Sequence, residues 1–203
     1  MSRILDAGCG PGADIAGLLA HAPRGHVTAV DTHAPFVERV KAKWSVDARV
    51  TAQVADMRDA SGPFDFIWSA GALYFLGLDD GLPLLVEKLA PQGAIAFSDM
   101  VYLSSKRDPE MRQAIEKEAP WIMGHIEHQK RLASLGFTCL GQRVLPPSSW
   151  EAYYIPMEHR IAKLSPTQDE ALQAALTEAA DEIALWRKYY RQFGYVLSVV
   201  RPS

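Results

Sequence analysis

The sequence is poor in every feature that marks a secreted, metal-held or nucleic-acid-binding protein. Its 203 residues include 2 cysteines. Cys9 and Cys139 are too far apart for metal-ligand spacing, and so low a count fits a reduced, cytosolic setting. Lysine and arginine never run longer than two in succession, and the formal net charge is −3. The basic stripe of a nucleic-acid surface is therefore missing, and no nucleic-acid partner is expected. No apolar run approaches the roughly 20 residues that cross a bilayer. Charged Arg3 and Asp6 followed by glycines do not form a secretory leader, so a cytoplasmic chain with no membrane partner is expected. What remains is 48% hydrophobic and 22% charged, a globular composition. Residues 1–203 read as one domain, long enough to bury a sizeable core.

Strands and helices alternate along the first half. Ser2–Asp6 reads as a strand, broken by Gly8, Gly10, Pro11 and Gly12. Ile15, Leu18, Leu19 and Ala22 then mark one face of a helix. His26–Val30 is a second strand closed by Asp31, and Phe36, Val37, Val40 and Trp44 line a second helix. Strands follow at Arg49–Val54 and Phe64–Ser69, a helix at Leu82–Leu89, and a strand at Ala94–Ser98 after the turn Pro91-Gln92-Gly93. Strands joined by crossover helices imply a doubly wound α/β fold with a mostly parallel sheet. The second half is more helical. Asp108-Pro109 starts a helix to about Ala119, and Gly124–Leu135 forms another, ahead of a strand at Phe137–Leu145. The pattern Ser165-Pro166-Thr167-Gln168 reads as a capping box opening a long helix to about Gln192. Tyr195–Val200 is the last strand, so residues of about 146–193 form a helical insertion between the last two strands.

The sharpest signal is Asp6-Ala7-Gly8-Cys9-Gly10-Pro11-Gly12, set between a strand and a helix. Glycines let the backbone turn tightly and let a ligand approach the main chain. Asp31, at the end of the second strand, has the position of a carboxylate that takes the ribose hydroxyls of a bound nucleoside. Glycines alone fit an ordinary tight turn as well. The order strand, loop, helix, strand, acid favours a nucleoside ligand. Gly8, Gly10 and Ala13 also satisfy a loose dinucleotide fingerprint. Pro11 and Gly12, the acid at Asp6, and the further acid in Ala55-Asp56-Met57 argue against that reading.

The stretch ILDAGCGPG resembles motif I of the class I S-adenosylmethionine-dependent methyltransferases. The resemblance implies a Rossmann-like sheet of seven mostly parallel strands with the last antiparallel. It implies S-adenosylmethionine as methyl donor and S-adenosylhomocysteine as product. The donor residues it assigns are Asp6, Gly8, Cys9, Gly10 and Gly12 in the loop, Asp31 and Thr32 at the ribose, Asp56 and Met57 at the adenine, and Ser69. LAPQGAIAFSD is similar to the family's turn into strand 5. The segment Ile67–Tyr74, with Trp150, Tyr153-Tyr154 and Tyr189-Tyr190, resembles a narrower bacterial group acting on small molecules. Relatives carry cap helices before motif I that this sequence lacks, and often an acid where Ala70 stands.

Methyl transfer from a sulfonium needs alignment above all, and proximity alone can contribute roughly 7–11 kcal/mol. A base is needed only for a protonated acceptor. Asp99, His125 and His128 are the candidates, with His159 behind them. His125 and His128, three apart, could share a metal, but with no third ligand nearby they read as a solvated face and no metal is expected. Tyr74, Trp150, Tyr153 and Tyr154 are the candidate acceptor wall, whereas Trp68 within an apolar strand reads as core. With no N-terminal cap, cover for the donor is expected either from the Trp150–Gln192 insertion or from a second copy in a homodimer. The alternative to catalysis is a donor-binding protein without turnover or a truncated, inactive relative.

Overall fold

The computed structural model describes residues 2–203. Its strands are β1 (Arg3–Ala7), β2 (His26–Asp31), β3 (Val50–Val54), β4 (Phe64–Ser69), β5 (Leu89–Tyr102), β6 (Met123–Gly124), β7 (Phe137–Val144) and β8 (Phe193–Pro202). Its helices are α1 (Ile15–His21), α2 (Ala34–Lys43), α3 (Gly77–Val86), α4 (Pro109–Glu118), α5 (His125–Ser134), α6 (Pro147–Leu164) and α7 (Glu170–Tyr189). Seven strands lie in the order β3-β2-β1-β4-β5-β8-β7, and the two-residue β6 adds to β5. Pairing is parallel throughout except along β8, which is antiparallel to β5 and β7. The doubly wound, mostly parallel sheet read from the sequence is the one observed. Chain order reverses between β1 and β4, and in such sheets ligands bind beyond the carboxyl ends of the strands at that point.

Alternation along the strands supplies a core on each face. Ile4 of β1, Val27 of β2 and Phe66 of β4 pack with Ile15, Leu19 and Val40 from α1 and α2. Leu5, Ile67, Ile95 and Phe97 point the other way, against Leu82 and Leu85 of α3 and Leu132 of α5. A third cluster joins Tyr102 and Phe193 to Met111, Tyr154, Ile183 and Trp186 of α4, α6 and α7. Each fully buried side chain of this size contributes about 1.5–3 kcal/mol of transfer energy.

Three expectations need correction. Ser165 does not open the second helix of the insertion. It closes α6, its hydroxyl donating to the Ile161 carbonyl at 2.8 Å. The cap of α7 is Asp169, whose carboxylate accepts from Leu172 N at 3.1 Å. A carboxylate there also meets the positive end of the helix dipole, which a serine does not. Residues 147–164, expected only as part of a helical insertion with no helix of their own delimited, form α6 despite Pro156 in its interior. β5 is a strand of 14 residues rather than five. Pro91-Gln92-Gly93 is an irregularity within it, with Gln92 at φ 64°, and β8 pairs along it as far as Tyr102.

Candidate active site

The loop after β1 turns on three glycines in the left-handed region, Gly8 at φ 76°, Gly10 at 50° and Gly12 at 77°. Gly8 N and Cys9 N both donate to the Val30 carbonyl at 2.9 Å, tying the loop to the end of β2. A side chain at Gly8 would stand 2.3 Å from the Ala72 methyl, so that glycine is required by packing. Gly10 differs, because a Cβ there would meet nothing within 4 Å. The space above it is open. Asp31 frames that space. Its Oδ2 accepts from Gly10 N at 2.9 Å and its Oδ1 from His33 N at 2.8 Å.

Negative charge concentrates here without compensation. Asp6 is 2% exposed, and its Oδ2 has no hydrogen-bond partner. Burial, reinforced by Asp14 and Asp31, pushes its carboxyl up to about 7. The Cys9 thiol is pushed up to about 12, first by burial and then by Asp6 and Asp31, so it is not a nucleophile near neutral pH. Asp14 was not anticipated from the sequence. It accepts from Trp68 Nε1 at 2.9 Å, and Trp68 is half-buried rather than a core residue. An uncompensated, partly desolvated group of carboxylates favours a cationic ligand.

The other donor candidates are distributed around this loop. Asp56 caps a short 3-10 turn, accepting from Arg58 N at 2.8 Å and from the Arg58 guanidinium at 2.7 Å. The guanidinium holds its carboxyl below the usual range. Met57 is half-buried, its methyl close to the Gly8 position. Thr32 is exposed beside Asp31. Ser69 is turned inward and fully buried, its hydroxyl donating to the Ala7 carbonyl at 3.0 Å. That bond joins the ends of β1 and β4 and leaves the serine side chain without an open face.

On the acceptor side, Tyr74 follows β4 in a 3-10 turn held by Trp121 Nε1, which donates to the Tyr74 carbonyl at 2.7 Å. The Tyr74 ring lies 6.2 Å from that of Tyr195, which stacks on Trp150 at 4.9 Å. Trp150 also stacks on Trp186 at 5.4 Å and Tyr154 at 5.8 Å. Tyr154 is 1% exposed, its hydroxyl donating to Glu182 at 2.9 Å. It supports Trp150 from below, while Tyr153 is 59% exposed. Tyr195, which the sequence marks only as the start of the last strand, links Tyr74 to the insertion. Its place opposite Met100 depends on the β5–β8 register, which no local pattern encodes.

The solvated-face reading of His125 and His128 is wrong. His128 is fully buried, and its Nε2 lies 3.3 Å from Asp99 Oδ2. His125 is half-buried, with Nε2 2.8 Å from Gln142 Oε1. Among the described residues no three His, Cys, Asp or Glu side chains form a group suited to a metal ion, and no helix is long and apolar enough to cross a membrane.

Comparison with known proteins agrees with this geometry. Residues 4–93 match the family model of the methyltransferase domain. A solved S-adenosylmethionine-dependent methyltransferase from Geobacter sulfurreducens, in complex with S-adenosyl-L-homocysteine, superposes with a TM-score of 0.83 at 17% identity. The match covers 100% of this chain and 85% of that one. Residues 4–93 thus match a methyltransferase domain, and the chain shares the fold of a solved S-adenosylmethionine-dependent methyltransferase. Among curated relatives, malonyl-[acyl-carrier protein] O-methyltransferase of Enterobacter lignolyticus is 33% identical over 117 residues, 56% of this chain and 43% of the relative. Trans-aconitate 2-methyltransferase of Paracidovorax citrulli is 27% identical over 124 residues, 59% of this chain and 46% of the relative. The chain thus spans less than half the length of either.

Proposed function

We propose that the chain works as one methyltransferase domain that binds S-adenosylmethionine and methylates a small molecule. The observation that carries this reading is the open space above Gly10, framed by Asp31 and underlain by the unpartnered carboxylate of Asp6. Once bound, the donor supplies an electrophilic methyl group on a sulfonium. The protein's part is to hold and align. The amides of the Gly8–Gly12 loop admit the ligand closely, Asp31 and Thr32 take the ribose, and Asp56 and the Met57 backbone amide take the adenine edge. Asp6, Asp14 and Asp31 match the donor's positive charge. Tyr74, Tyr153 and Trp150, with Tyr195 between them, form an aromatic wall for the acceptor, and Tyr154 braces Trp150. The α6–α7 insertion supplies much of that wall. The absence of a Lys/Arg run supports a small-molecule acceptor over a nucleic acid, and the low cysteine content supports a cytoplasmic setting.

The test is calorimetry with S-adenosylmethionine and NAD, followed by release of S-adenosylhomocysteine with a metabolite panel. Donor binding and product release with one class of acceptor are expected. Tight NAD binding without donor binding would refute the reading. Donor binding without release from any member would reduce it to a binding protein.

A further inference from the structure

Among the described residues, Asp99 and His128 are the one buried carboxylate–imidazole pair, and donor binding uses neither. Asp99 is 6% exposed and His128 0%. His128 Nε2 lies 3.3 Å from Asp99 Oδ2, a close approach without the alignment of a hydrogen bond, so this buried nitrogen has no hydrogen-bond partner. Across the ring, Nδ1 accepts from Gln142 Nε2 at 3.2 Å. A neutral imidazole held this way carries its proton on Nε2, facing the carboxylate. Gln142 is fixed in turn. Its amide nitrogen donates to Ser198 Oγ at 2.9 Å, and its carbonyl oxygen accepts from Gln129 Nε2 at 2.7 Å. Three elements, α5, β7 and β8, thus converge to set the tautomer of one buried ring. Apolar residues would fill this space without the cost of desolvating polar groups, so packing does not account for the arrangement.

The pair lies next to the candidate site. Asp99 follows Ser98, whose hydroxyl accepts from Gly71 N at 2.7 Å. Gly71 precedes Ala72, the residue packed directly against Gly8 of the donor loop. Asp99 Oδ1 accepts from Met100 N at 2.9 Å, which orients the carboxylate but leaves lone pairs free on both oxygens. The titratable groups around it are His128 of α5, His125 behind Gln142, and Tyr195 of β8. The Tyr195 phenol is pushed up by burial first, then by Tyr74 and Asp99.

We propose that Asp99 is a catalytic carboxylate that takes the acceptor's proton during methyl transfer, and that His128 is its positioning residue. The proposal rests on the methyltransferase reading above. As the acceptor's heteroatom bonds to the methyl carbon, the carbon–sulfur bond breaks and its electron pair stays on sulfur. The acceptor's proton passes to Asp99, so a carboxylate and a sulfonium become a carboxylic acid and a thioether. The His128 Nε2–H, 3.3 Å from Oδ2, attracts the carboxylate and keeps it turned to the acceptor.

The test uses the full chain, S-adenosylmethionine and two probe sets. Small phenols must lose a proton on methylation, whereas trans-aconitate, ionised at pH 7, need not. A general base contributes roughly 10²–10⁴ in rate. Asp99→Asn should therefore lower kcat on phenols about 100-fold or more, leaving KM, donor Kd and turnover of trans-aconitate within about twofold. His128→Gln, which keeps an N–H donor, should retain most activity on phenols, and His128→Leu should lose at least about tenfold. Melting curves and donor calorimetry on each variant separate this loss from unfolding. Undiminished phenol turnover by Asp99→Asn, equal losses on both probe sets, or wild-type rates in His128→Leu would overturn the proposal. So would a wild type that methylates carboxylates alone or no probe. A wild type that does not bind the donor would instead refute the methyltransferase reading itself.

Discussion

The charge buried under the glycine loop gives a prediction that needs no knowledge of the acceptor. Asp6 has its carboxyl raised from 3.8 to about 7, with burial as the leading cause. A shift of about three units corresponds to about 4 kcal/mol between protonation states. The sign follows from where each state loses its proton. The unfolded chain releases it near pH 4 and the folded chain holds it until about pH 7. Stability is therefore greatest below about pH 4 as far as this group is concerned, falls between pH 4 and 7, and is level above. Asp6→Asn removes the charge. The Asn side chain at the Oδ2 position has no partner, which costs about 1–3 kcal/mol. Near pH 8 the variant should be more stable than wild type by about 1–3 kcal/mol, or roughly 2–12 °C in Tm for a domain of this size. Its stability should also lack the fall between pH 4 and 7. Melting curves of the ligand-free protein across that range test both parts. The same variant should bind S-adenosylmethionine at least about tenfold more weakly, since it has lost a charge facing a cation. An Asp6→Asn protein that melts no higher than wild type at pH 8 and keeps the wild-type pH dependence would refute the argument.

The remaining predictions concern the frame of the site. Gly8→Ala should cost at least about 2–3 kcal/mol, from positive φ and overlap with Ala72. Gly10→Ala should cost only about 1–2 kcal/mol yet abolish donor binding, as melting curves and calorimetry would show. Asp31→Asn should weaken donor binding at least tenfold, from about 1.5–3 kcal/mol of lost charge-assisted hydrogen bonding; an unchanged Kd would refute its ribose role. Asp56→Ala should weaken binding while Met57→Leu leaves it nearly unchanged, and equal losses would show that the Met57 side chain carries the contact. Trp150→Ala should lower stability by about 2–4 kcal/mol and reduce acceptor turnover, because the ring that stacks on Tyr195 is lost.

The first half of the fold was legible because its signals are local. β1, α1, β2 and α2 each carry their own periodicity, and Gly8, Gly10 and Gly12 mark the turn between the first two. The second half misled where a local signal competed with a stronger one nearby. Ser165 has the residue type of a cap, but Asp169 four residues later offers a charged acceptor with Glu170 behind it. The bounds of α6 within the helical insertion are not legible because Pro156 interrupts its pattern, and the helix persists because Trp150 and Tyr154 pack on Trp186 of α7. The true end of β5 depends on β8, which pairs with it from more than ninety residues away.

The site divides the same way, and the division has a physical cause. The glycine loop is a sequence motif because one short backbone segment takes positive φ at Gly8, Gly10 and Gly12, a conformation that favours glycine. Asp31 was readable for a related reason, since a fixed distance along the chain returns it to the loop. The Asp99–His128–Gln142 chain has no such signature. Its members come from β5, α5 and β7, and each alone resembles a surface polar residue. A histidine between Glu127 and Gln129 reads as solvent-facing, because its immediate neighbours are. Helical periodicity decides otherwise. Leu132, one turn on from His128, is fully buried against the sheet, so position 128 lies on the inward face. A polar residue on an inward face must find a partner there, and the strand passing beneath offers Asp99. The informative signal was an ionisable residue at an apolar position of an amphipathic helix.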